Sequence, residues 1–172
     1  MSGGTPQSPR EGGKTPERPW NRERPRTLVI ACSDGRLQED VDGFLEQDFG
    51  IVHYDRLYIP GGPGALASSG IEVHRSYAHI SECRFLVASH RIETILWIFH
   101  GPAADGPDEA LCVDYLRKLP GRTVAQIRRQ QEDDAAELLK LSLGGPVRAE
   151  AYRCEVTGAG SVRIVRLGEG TL

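Results

Sequence analysis

The sequence predicts an α/β domain: a mainly parallel central sheet flanked by helices, closed by a C-terminal antiparallel hairpin. Three observations carry this. Short apolar runs alternate with helical periodicities three times along the 172 residues. The run 92–99 is apolar on both faces, as a central parallel strand requires. Gly158-Ala159-Gly160 sits between two strand-like stretches and reads as a hairpin turn.

Thr27–Cys32, TLVIAC, is short, apolar and rich in β-branched residues, the signature of a buried strand. Leu37, Val41, Phe44, Leu45 and Phe49 then recur at helical spacing and predict a helix over 38–48, ended by Gly50. Asp55–Ile59 is a second strand, stopped by Pro60-Gly61-Gly62, and a glycine-rich loop follows to about Gly70. Tyr77, Ile80, Cys83 and Val87 mark one face of a helix ending near Arg91, and 92–99 is the third strand. Past a Pro/Gly-rich loop, Asp108 and Glu109 favour a helix start, with Cys112, Tyr115, Leu116 and Leu119 as its apolar stripe. Thr123 and Gln126 form a capping-box pattern opening a helix through Leu138, with Gly144-Gly145-Pro146 as its stop. Residues 147–157 and 161–167 are the strands of the hairpin.

Composition bounds the function. The apolar share of 39% and charged share of 26% support a packed core. Residues 1–26 stand apart, with six basic and three acidic side chains, five prolines and a single aromatic, Trp20. This segment is expected to be a disordered tail, and 27–172 a single domain. The body holds 15 basic against 21 acidic residues, which disfavours a nucleic-acid partner. No apolar run reaches membrane-spanning length, and none follows Met1, so a cytoplasmic protein without a membrane partner is expected. The four cysteines, at 32, 83, 112 and 154, form no CxxC pair, which excludes a small structural zinc module.

Ligands of open α/β sheets bind beyond the carboxyl ends of the strands. The first strand ends in Cys32-Ser33-Asp34-Gly35-Arg36, the second in Pro60-Gly61-Gly62-Pro63-Gly64, the third in His100-Gly101-Pro102-Ala103. A thiol, a carboxylate, a guanidinium and an imidazole thus converge on one rim. Cysteine and histidine suit zinc, and Asp34 and Arg36 are spaced to pair, holding the carboxylate ionised.

This pattern, CSDGR, then IPGG, then a histidine after the third strand, resembles the β-class carbonic anhydrases over residues 27–167. The resemblance implies a zinc enzyme hydrating carbon dioxide reversibly to bicarbonate, built as a homodimer. It implies Cys32 and His100 as metal ligands and Asp34 with Arg36 as a catalytic dyad. The family's second zinc cysteine falls three residues after the histidine, where this chain has Ala103, and Gly35 replaces a frequent serine. Asp34 is taken as the third metal ligand beside Cys32 and His100. Asp105 is a second candidate, and Cys112 a weaker one because it falls on the apolar stripe of a helix. The alternative is a family member that keeps the fold without metal or hydration, binding an anion near Arg36 or serving as an interaction module. A third reading is a thiol enzyme or redox sensor at Cys32 beside Arg36. A phosphatase-type C-x5-R loop is excluded, since position 38 is glutamine.

The remaining residues have plainer readings. Cys83 and Cys154 are small core residues. His53, His74, His79 and His90 lack a partner at ligand spacing. Trp97 packs, and the glycine loop allows a close backbone approach to the site.

Overall fold

The computed structural model describes residues 19–172. Most of the proposed tail therefore lies outside the described residues; 19–26 carry no helix or strand.

Five strands form one sheet: β1 (Thr27–Cys32), β2 (Asp55–Ile59), β3 (Thr94–Pro102), β4 (Arg148–Val156) and β5 (Val162–Thr171), in the order β2-β1-β3-β4-β5. The first four are parallel, and β5 returns antiparallel along β4. The helices are α1 (Gln38–Phe49), α2 (Val73–His90), α3 (Val113–Lys118) and α4 (Val124–Leu138). Period-two alternation divides the sheet between two cores. Leu28, Ile30, Ile95, Trp97 and Phe99 pack with α2 and α4 residues such as Cys83, Val87, Ile127 and Leu138. Val29, Ala31, Leu96 and Ile98 pack with Val41 and Leu45 of α1. The helices thus cover both faces, as the alternation of elements implies. Every residue of β3 is buried, consistent with its central place. No helix among the described residues is long and apolar enough to cross a membrane.

Local signals explain the element ends. Gly50 caps α1 in the left-handed region, and Thr123 and Gln126 make both bonds of a capping box on α4. Three expectations need correction. Tyr77, placed on the apolar face of α2, is 71% exposed; burial on that helix falls in its later turns, at Cys83 and Val87. The helix expected from residue 108 is two pieces, a single 3-10 turn at Asp108–Ala110 and then α3, because Leu111 and Cys112 are extended. His90 does have a partner, its Nδ1 lying 2.6 Å from Asp55 Oδ2.

Candidate metal centre

Register sets the first two donors. β1 and β3 are adjacent and parallel, with Ala31 opposite Ile98, so Cys32 and His100 emerge on the same rim. The third donor comes from elsewhere. The break at Leu111 and Cys112 makes Cys112 the N-cap of α3 and turns its thiol toward the strand ends. Ligand atoms of Cys32, His100 and Cys112 all lie within 4.8 Å of one another. Zinc stands about 2.3 Å from thiolate sulfur and about 2.0 Å from imidazole nitrogen, so small side-chain rotations would bring all three onto one ion.

The set fits such an ion on a second count. His100 is 5% exposed and, among the described residues, neither of its ring nitrogens has a hydrogen-bond partner. Buried polar atoms without partners are costly, and a metal bond relieves one of these. Its main chain is fixed independently, since Gln131 Nε2 donates to the His100 carbonyl at 2.8 Å.

Electrostatics favour a thiolate at Cys32. A hydrogen bond from the Cys112 thiol is the main influence lowering the Cys32 pKa; burial opposes it and His100 adds to it. The same bond, with burial, raises Cys112. Cys112 thus keeps its proton more firmly than Cys32. Cys83 and Cys154 are instead pushed up to about 12, chiefly by burial, as inert core thiols.

Asp34 sits beside the donors. It caps the turn Gly35–Leu37 by accepting from the Arg36 amide at 3.1 Å. Its carboxylate takes both arms of the Arg36 guanidinium, Nε at 2.9 Å and Nη2 at 2.6 Å. These bonds bring its pKa down to about 2. Arg36 Nη1 also donates to the Glu109 carbonyl at 3.2 Å, which ties the dyad to the segment leading to Cys112. Cys32, Asp34, His100, Cys112, Pro60 and Val113 line a cleft of about 230 Å³.

The glycine loop makes the expected close approach. Gly62 has φ +54°, and a Cβ there would stand 2.7 Å from the Cys32 nitrogen and 3.0 Å from the Ala31 carbonyl carbon. A Cβ on Gly64 would collide with the Tyr115 ring of α3.

Of the residues singled out in the sequence, Cys32 and His100 come together and Asp34 pairs with Arg36. Asp105 lies against Gly158 at the hairpin turn. Ala103 is fully buried and its amide donates to the Val156 carbonyl at 2.8 Å, extending the β3–β4 ladder. Cys112, ranked last of the ligand candidates, joins Cys32 and His100. The signal that marks it is the charge order of α3, with Asp114 in the first turn and Arg117-Lys118 in the last. That order places the helix start at 113 and Cys112 at its cap.

No family model matches the sequence, and no curated protein matches it. Among solved structures, the chain is similar to the β-carbonic anhydrase CafA of the fungal pathogen Aspergillus fumigatus, at 15% identity and TM-score 0.45, over 85% of this chain and 77% of that one. It is also similar to β-carbonic anhydrase isoform I of the protozoan Trichomonas vaginalis, at 11% identity and TM-score 0.47, over 90% of this chain and 89% of that one.

Proposed function

We propose that this chain is a zinc-dependent lyase of the β-carbonic anhydrase type, which hydrates carbon dioxide reversibly to bicarbonate. Zinc is held by Cys32, His100 and Cys112. The observation that carries the reading is the buried imidazole of His100, unpartnered at both nitrogens, facing two thiols within 4.8 Å. Zinc bound by three protein ligands supplies a Lewis acid that makes water acidic near neutral pH. Asp34 remains ionised and can accept a hydrogen bond from water in the cleft, orienting its lone pair. Arg36 aims that carboxylate and keeps it from taking the proton itself. Val113 and Pro60 give the cleft an apolar wall suited to a small apolar substrate. In this scheme Asp34 is a dyad member and not a ligand: Arg36 holds its carboxylate, which is not among the donor atoms that converge.

Val73 and Tyr77 of α2 and Val113 and Leu116 of α3 are exposed apolar side chains. The Arg75–Asp114 and Arg117–Glu72 pairs hold these helices side by side. A second copy of the chain covering this face would make a homodimer with the cleft near the boundary. The four cysteines are free thiols, which suits a reducing cytoplasm.

Elemental analysis and stopped-flow hydration test the reading together. We expect about one zinc per chain and measurable hydration, with zinc lost in Cys32→Ala. A chain purified with zinc in the medium that carries none overturns the metal site. Stoichiometric zinc without hydration overturns the lyase, and only a chain with neither zinc nor hydration leaves the metal-free anion-binding or interaction module.

A further inference from the structure

Cys112 reaches the donor set from a helix that cannot hold itself. α3 is six residues long, below the length at which an isolated helix persists. Nothing in the local chain links Cys112 to His100. On its inner side α3 is docked by a buried polar cluster that the proposed chemistry does not use. Lys118 and Asp134 have side chains 1% exposed and stand 2.8 Å apart. Lys118 Nζ also donates to Ser69 Oγ at 2.6 Å and to the Gly64 carbonyl at 3.2 Å. Asp134 accepts from the Tyr115 hydroxyl at 2.5 Å, from Ser69 Oγ at 2.6 Å and from Gln130 Nε2 at 2.9 Å. One carboxylate on α4 therefore takes two side chains of α3, at positions three and six residues past Cys112.

We propose that Asp134 is a positioning residue for the metal site: it fixes α3 in the one placement that brings the Cys112 sulfur to Cys32 and His100. A buried ion pair adds little net stability over apolar packing, but its partners are satisfied in a single arrangement. Sliding or rotating α3 would leave the Lys118 and Asp134 charges buried and uncompensated. The inference rests on the metal-site reading, and one arm of its test does not.

The variants are Asp134→Asn and the apolar pair Lys118→Met/Asp134→Leu, compared with the wild-type chain and Cys112→Ala. The first arm loads each with cobalt(II) and reads affinity and the intensity of the thiolate-to-cobalt absorption. The second arm treats metal-free protein with diamide, which accepts the two hydrogens as a disulfide forms. Peptide mapping then gives the rate of Cys32–Cys112 linkage. In Asp134→Asn we expect cobalt affinity about 10–100-fold weaker, a thiolate band reduced toward that of Cys112→Ala, and slower linkage. Wild-type band intensity and linkage rate in Asp134→Asn, with only the melting temperature lowered, overturn the proposal. Should Asp134→Asn not fold, the apolar pair decides: a folded chain with weakened band and linkage supports positioning, and wild-type values overturn it. A wild-type chain that takes no cobalt but links the two cysteines refutes the metal reading alone, and the linkage rates still judge Asp134. A wild-type chain that does neither overturns both.

Discussion

Two kinds of structure deliver the candidate donors of this site. Cys32 and His100 stand at the ends of adjacent parallel strands in a sheet whose central strand is wholly buried. The separation of their main chains is set by main-chain hydrogen bonds and can change only if the sheet changes. Cys112 stands at the cap of a short helix held by side chains: Tyr115 and Lys118 to Asp134, and Asp114 to Arg75. The first pair is fixed by register and the third donor by tertiary contacts. A site of this kind has a rigid half and an adjustable half, and each can be tested separately.

The largest expected effects come from the rigid half. Structural zinc sites contribute on the order of 10 kcal/mol or more, so loss of one of three ligands should weaken zinc binding about 1,000-fold. We expect that for Cys32→Ala and His100→Ala in competition titrations with a chromogenic chelator. Cys112→Ala should cost less, about 100-fold, because water can enter where the helix cap was. Equal losses in all three would erase the distinction between the halves.

Thiol reactivity follows at a smaller scale. In the metal-free protein, iodoacetamide should label Cys32 at least ~10-fold faster than Cys83 or Cys154 at pH 7, since only the thiolate is nucleophilic. The midpoint of the Cys32 pH–rate profile should lie below that of an ordinary thiol. The Cys112 hydrogen bond is the main cause of that lowering, so Cys112→Ala should move the midpoint upward, with the residual lowering due to His100. An unchanged midpoint in Cys112→Ala would mean that the Cys112 thiol does not donate to Cys32.

The same division governs what could be read from sequence. β1 and β2 are legible to their end residues, and the helix periodicities found α1, α2 and α4, because local pattern and burial agree there. The convergence of Cys32, Asp34, Arg36 and His100 on one rim is legible in the sequence because strand ends define that rim. Cys112 is only a weaker candidate in the sequence, because two extended residues at Leu111 and Cys112 interrupt an apolar stripe that otherwise reads as one helix. The contacts that seat α3 join residues 16 to 54 positions apart, which no periodicity records. Ala103, three residues past His100, instead continues main-chain pairing, its amide donating to the Val156 carbonyl.

Gly62→Ala probes the rigid half without replacing a ligand side chain. The left-handed conformation alone costs a non-glycine residue about 1–3 kcal/mol. The added Cβ would also meet the backbone of Cys32 at 2.7 Å, and that backbone cannot move without disturbing β1. We expect the melting temperature to fall roughly 5–10 °C and zinc affinity to fall with it. A stability loss that leaves zinc affinity untouched would show that the loop supports the fold and not the Cys32 donor.

The smallest effect concerns Asp34, which neither half uses as a donor. Its carboxyl is lowered from 3.8 to about 2, first by the Arg36 side-chain hydrogen bonds. A group depressed in the folded state stabilises it above the unfolded pKa, and that contribution is lost as pH falls through the folded value. The Asp34–Arg36 pair should therefore be fully formed above about pH 4 and lost as pH approaches 2. Carboxyl carbon NMR on metal-free protein should show this low midpoint, returning toward 3.8 in Arg36→Ala. Arg36 is 61% exposed along its side chain, so the variant should change stability little. Its effect should fall on hydration, where Asp34 loses its aim, while the zinc content stays that of the wild type. Loss of zinc in Arg36→Ala would instead place the dyad in the support of Cys112, through the bond from Arg36 to the Glu109 carbonyl.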